Sequence, residues 1–209
     1  MTTTALRAPE AAPGGAAAVP QRVRLVDAAL RCIARHGTRK VTVDDIAREA
    51  GISRATLYRA FPGGRDAVLA ATVETEAARF FSALAVEMGQ AEDLEAVFVS
   101  GITSAAAYLS AHEALQYLAR HEPDVVMTHL RFGQMDDALA RATAFAAPFF
   151  TRWLDPADAA RAAEVGVRLL LSYTLEPTAK VDLADPVAVG AQVRRYVLPA
   201  FSSPQSVTT

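Results

Sequence analysis

Between Val41 and Phe61 the chain writes one helix-start signal twice, and this constrains its fold more than any other feature. Thr42 is an N-cap with Asp45, three residues on, as its capping-box partner, and Val41 and Ile46 flank them as a hydrophobic staple. After Gly51 the signal returns: Ser53 is an N-cap, Ile52 and Leu57 form the staple pair, and Leu57 and Phe61 share one face. Pro62-Gly63-Gly64 ends the second helix. Two short helices joined by a glycine-containing turn form a helix-turn-helix unit. With Leu57 and Phe61 turned inward, Arg54, Ala55, Tyr58 and Arg59 are left on the outer face of the second helix.

The flanking sequence is helical as well. A first helix is predicted from about Arg22 to His36, since Leu25, Ala28, Ala29, Cys32 and Ile33 recur at helical period and Gly37 stands where a left-handed C′ residue ends a helix. A long helix follows over 65–88, and further helices are predicted at 92–110, 113–121, 124–130, 134–153, 157–175 and 186–200. Proline supplies most of the boundaries, and Pro148 falls inside a helical pattern, where a kink or break is expected. The fold class is therefore all-α. The predicted organisation is a disordered tail at 1–21, a three-helix helix-turn-helix DNA-binding domain at 22–66, a helical ligand-binding and dimerisation domain at 67–201, and a disordered tail at 202–209.

Charge separates the two parts. Residues 22–65 hold ten Lys or Arg against four Asp or Glu, whereas residues 66–209 hold ten against eighteen. A basic segment on an acidic body suits a chain with one end on a polyanion. One cysteine, Cys32, excludes an internal disulfide framework and fits a reducing, cytoplasmic setting. The first 21 residues have no apolar stretch like that of a signal peptide, and no apolar run appears long enough to span a bilayer, so no membrane partner is expected. No glycine-rich phosphate loop, paired Cys/His metal spacing or nucleophile in a recognisable setting is present, so the expectation is a non-enzyme without cofactor or metal. The competing class is a helical small-molecule or lipid-binding module with no DNA role. It differs in predicting no salt-dependent binding to duplex DNA.

Duplex DNA is held through its phosphates and read at base edges in the major groove, by the N-terminal residues of the second helix of such a unit. Arg54 and Arg59 suit guanine, Ala55 is small enough for close approach to a thymine methyl, and Thr42, Thr56 and Tyr58 carry hydroxyls for phosphate oxygens. Ser53 caps the same end and is a further DNA-contact candidate, as its cap role and a DNA role can coexist. Arg65 opens the next helix, whose free N–H groups already favour an anion.

Arg24-Leu25-Val26-Asp27-Ala28-Ala29, then Gly37, then TVDDIAREAGISRATLYRAFPGGRDAVL resemble the N-terminal domain of TetR-family (tetracycline-repressor-type) regulators over residues 22–70. The resemblance implies an all-α homodimer that binds a palindromic operator and releases it when a small molecule enters the C-terminal domain. By position it makes Arg54, Ala55 and Arg59 base-facing, and gives Thr42, Thr56, Tyr58 and Arg65 to phosphate. The sequence departs from the family pattern twice. Gly63-Gly64-Arg65 replaces a shorter turn ending in lysine, and Ala60 stands where an aromatic is common.

One helix-turn-helix makes few contacts, so specificity calls for two half-sites and hence a dimer. Val165, Leu169 and Tyr173 in one terminal helix, with Val189, Val193, Tyr196 and Val197 in the other, are the expected interface. Phe98, Tyr117, His121, Met127, Phe132, Phe145, Phe149 and Trp153 are the expected lining of a pocket for a small hydrophobic effector.

Overall fold

A computed structural model describes residues 15–125, 134–175 and 181–201, and among them there is no strand. The described helices are α1 (Gly15–His36), α2 (Val43–Glu49), α3 (Arg54–Ala60), α4 (Gly64–Gly89), α5 (Leu94–Ala111), α6 (Glu113–His121), α7 (Gln134–Phe150), α8 (Pro156–Leu175) and α9 (Pro186–Gln192). The first helix begins seven residues before Arg22, so part of the segment expected as a tail is helical. The expected tail at 202–209, and most of the helix expected at 124–130, lie outside the described residues.

Two apolar cores organise the chain. The N-terminal core joins Leu25, Ala28, Cys32 and Ile33 of α1 to Val41, Ile46, Leu57, Phe61 and Val68. Its members include both inward staple residues, Ile46 and Leu57, each fully buried. The larger core joins Leu84 and Met88 of α4 to Phe98 and Ile102 of α5, Phe150 of α7, Ala159, Ala162 and Ala163 of α8, and Val189, Val193 and Val197. The division expected at residue 66 falls near the start of α4, which runs unbroken from one core to the other. Ala114 of α6 is buried in the N-terminal core with Leu118 packed against it, so the body also reaches back to α1.

Two expected helices are shorter than their patterns. Pro148 sits in the last turn of α7 and removes a backbone donor; the helix stops at Phe150, and Thr151 Oγ1 donates to the Pro148 carbonyl at 2.8 Å. The final helix is regular only to Gln192, then widens into a π turn at Val193–Val197 and tightens into a 3-10 turn at Leu198–Ala200. Pro199, with no N–H, lies within that tightened turn. Helix α5 corrects the expectation on apolar runs: it is 18 residues long and apolar enough to cross a membrane by length and composition. In this fold it packs against α4, α8 and α9, with Val97, Phe98, Ile102 and Ala105 buried.

Candidate nucleic-acid interface

The two short helices start as their caps dictate. Asp45 N–H donates to Thr42 Oγ1 at 3.2 Å, while Thr42 donates from its hydroxyl (2.6 Å) and backbone (3.1 Å) to the Asp45 carboxylate. These hydrogen bonds, the side-chain one first, hold the Asp45 carboxyl below its usual range. Thr56 N–H donates to Ser53 Oγ at 3.2 Å, and the two hydroxyls lie 2.8 Å apart. Gly51, with φ +65, makes the turn between them.

Helix α1 secures the far ends of both. Arg24 donates to the Ala50 carbonyl at 2.8 Å, at the C-cap of α2. Arg22 donates to the Ala60 carbonyl at 2.5 Å, at the end of α3, and lies 4.1 Å from the centre of the Phe61 ring. Terminal carbonyls lack partners within a helix, so these two arginines fix the pair's position through groups that would otherwise need water.

The outer face of α3 is Arg54, Ala55, Tyr58 and Arg59, all exposed, as the staple pattern requires. Arg54 leans towards Asp44, with 3.3 Å between Nη1 and Oδ2, and its guanidinium carbon is 5.7 Å from the Tyr58 ring centre. Both partners in that ion pair are more than half exposed, so water screens it and the arginine is free to exchange Asp44 for another acceptor. Arg59 donates to Thr56 Oγ1 at 3.1 Å. Tyr58 is 39% exposed because one ring edge lies over Gly64. A Cβ on Gly64 would come within 2.9 Å of Tyr58 Cε1, and Gly64 has φ +62. The extra turn residue is thus used: Gly64 N–H closes on the Phe61 carbonyl at 2.8 Å, and its bare backbone makes room for Tyr58.

Arg65 has a different setting from the other DNA candidates. Its Nε donates to the Val41 carbonyl at 2.8 Å, Nη2 donates to the Thr38 carbonyl, and Nη1 faces Asp66 at 3.0 Å. It ties the start of α4 to the loop between α1 and α2. Much of the basic excess of this segment is likewise internal. Arg31 and Arg35 both hold Glu49 at 2.6 Å, Arg48 holds Asp45, and Arg39 pairs with Asp124. Among the described residues, Lys40 and Arg59 are the cations of residues 22–65 with no acidic partner and no backbone carbonyl to hold. Lys40, exposed two residues before the α2 cap, was not singled out by sequence pattern because a lone charge outside a helix has no period to mark it.

Residues 25–72 match the family model of the bacterial regulatory proteins, tetR family. Over these residues the chain is similar to the N-terminal domain of the TetR-family regulators. An HTH-type transcriptional regulator, BetI of Agrobacterium fabrum, is 47% identical over 55 residues, which is 26% of each chain. The chain thus spans about a quarter of the length of the curated relatives it matches. Beyond that quarter the likeness is of fold. The TetR-family repressor AlkX from Dietzia superimposes with a TM-score of 0.59 at 22% identity, covering 86% of this chain and 94% of that one. The SmeT–triclosan complex superimposes with a TM-score of 0.55 at 23% identity, covering 91% and 98%.

The body of the chain separates the effector and dimer candidates. Phe98 and Phe145 line a wholly apolar chamber between α4, α5, α7 and α8, with Phe80, Phe81, Met88 and Phe150. Phe149 and Trp153 pack around the larger core outside that lining. Tyr117 and His121 do not reach the chamber: they stack at 4.3 Å on α6, with Tyr117 beside Gly37. Their spacing puts them on the face of α6 turned to α1. Met127 and Phe132 lie outside the described residues. Val189, Val193 and Val197 correct the expected interface, since all three are buried in the chain's own core and none is available to a partner. Their spacing of four marks the inner stripe of the last helix. Val165 and Tyr196 are exposed, with Val187 beside them in type, and Leu169 and Tyr173 are half-buried.

Proposed function

We propose that this protein is a homodimeric transcriptional repressor that binds a palindromic operator in duplex DNA and is released by a small hydrophobic effector. The observation that carries the reading is the outer face of α3: Arg54, Ala55 and Arg59 stand exposed over a fully buried Leu57, on a helix held at both ends. The TetR-family match over residues 25–72 supports the same reading. In it Arg54, Ala55 and Arg59 address base edges, while Thr42, Ser53, Thr56, Tyr58, Arg65 and the unpaired Lys40 address phosphates. Partner contact falls to Val165, Leu169, Tyr173 and Tyr196. The apolar linings of the body's cavities and the printed title of the triclosan complex favour a hydrophobic effector. Cys32 is a free thiol, buried, and burial followed by the charge of Glu49 pushes its pKa up, which suits an inert core residue in a reducing cytoplasm.

Two substitutions test the assignment by binding to duplex DNA across a salt series. Arg54→Ala is expected to relax preference at one operator position, by roughly ten- to a hundredfold, while weak general binding persists. Equal loss on every sequence would remove Arg54 from base reading. Arg65→Ala is expected to weaken all duplexes alike and to lower the salt slope by about one. An unchanged slope together with a lower melting temperature would make Arg65 solely a tie to the Thr38 and Val41 carbonyls.

A further inference from the structure

Two of the cavities in the body differ in a way that bears on the effector. The apolar chamber has a volume of about 70 Å³ and is lined by apolar residues throughout. The second cavity is a cleft of about 430 Å³ where α1, α4, α5, α6 and α7 meet. Small-molecule sites run to roughly 300–1,000 Å³, so the cleft has room for a ligand and the chamber as it stands does not. Phe80 and Phe81 border both spaces. The cleft takes Leu30 and Ile33 from α1, Val73 from α4, Leu115 and Leu118 from α6, and Arg141 from α7.

Its charges are unequally satisfied. Glu76 accepts from Arg79 at 2.7 Å, Tyr108 at 3.3 Å and His112 Nε2 at 3.0 Å. His112 Nδ1 accepts from Leu115 N–H at 3.1 Å, so the ring proton sits on Nε2 and points at Glu76. The carboxylate is therefore fully engaged. Arg141 is exposed on the cleft wall and has no hydrogen bond or ion pair among the described residues. The open charge of this mostly apolar cleft is positive.

We propose that the junction cleft binds an amphipathic anion, an alkyl chain ending in a carboxylate, with the chain along the apolar wall and the carboxylate on Arg141. An arginine fork pairs a carboxylate bidentately, and the alkyl chain supplies apolar contact along the rest of the cleft. Because α1 forms part of the wall, an occupant touches the DNA-binding unit directly. That consequence for DNA rests on the repressor reading above; the binding itself does not.

Calorimetry on the full chain, with decanoate, decanol and decyltrimethylammonium below their aggregation concentrations, tests the site without DNA. Decanoate is expected to bind at least about tenfold more tightly than decanol, and decyltrimethylammonium more weakly than either. Arg141→Gln, an exposed position that leaves folding intact, should bring decanoate to the decanol level, and Arg141→Lys should keep part of the preference. Ala138→Phe, which fills the cleft from its half-buried wall, should weaken decanoate and decanol together. Equal affinity for all three probes, a decanoate preference that survives Arg141→Gln, or indifference to Ala138→Phe would each overturn the proposal. Decanoate that binds as expected but leaves a DNA complex intact would count against the repressor reading alone.

Discussion

Leu57→Ala is expected to abolish sequence-specific DNA binding and to unfold the N-terminal unit near physiological temperature. Leu57 is 0% exposed and sits where α1, α2 and α3 meet, among Leu25, Ile33, Ile46, Phe61 and Val68. Removing a buried leucine side chain costs about 3–5 kcal/mol, through lost transfer energy and the cavity left behind. A seven-residue helix such as α3 has almost no stability of its own, so its position depends on this one contact and the ties at its ends. The body has a separate core and should retain its helicity. Circular dichroism with limited proteolysis would show partial loss of helix and cleavage confined to the first 70 residues or so. A variant that melts and cleaves like the wild type would mean that α3 is anchored by something other than Leu57.

Glu122→Ala is expected to lower the melting temperature by about 5–12 °C. Glu122 is 6% exposed, and its carboxylate accepts from Thr38 Oγ1–H at 2.5 Å, Thr38 N–H at 3.1 Å and Arg39 N–H at 3.3 Å. It clamps the loop that leaves α1, beside Gly37, whose φ is +77 and where a Cβ would collide with Glu122 Oε1. Deleting the carboxylate orphans three donors, at a cost of roughly 2–4 kcal/mol, and each kcal/mol moves the melting point of a chain this size by about 2–4 °C. Burial pushes the Glu122 pKa up, but the hydrogen bonds from Thr38 and Arg39 outweigh it and leave the carboxyl below the ordinary glutamate range. A depressed folded pKa stabilises fully above the unfolded value and is lost as pH falls through the folded one. The gap between wild type and Glu122→Ala should therefore be constant above about pH 5 and close as the solution is made more acid than pH 4. A gap that persists unchanged into acid would show that packing, not the charge, holds the loop.

The helix-turn-helix was legible because its determinants are local. Thr42, Asp45, Ile46, Ser53 and Leu57 each act with a partner no more than five residues away, and the structure places each in its expected role. Arg65 was legible only in position: its bonds to Thr38 and Val41 span more than twenty residues, and nothing in the local pattern encodes them. The same holds for Glu122, whose partners are more than eighty residues away. The terminal helix shows the opposite failure. Val189, Val193 and Val197 have a clear period, but period tells that a stripe is buried and not whether the chain itself or a partner covers it. Tyr117 and His121 were misplaced for a related reason, since an aromatic on a helix face fits a pocket and a helix contact equally well.

The repressor reading requires α3 to be presented twice, by two copies of this chain related by a two-fold axis. Selection of bound sequences from a pool of random duplex DNA, using the full chain, tests that directly. The account predicts an inverted repeat whose half-sites lie about one helical turn, 34–36 Å, apart, and which the Arg54→Ala variant no longer selects at one base pair in each half. Recovery of unrelated sequences, or of a single unrepeated site, would contradict it.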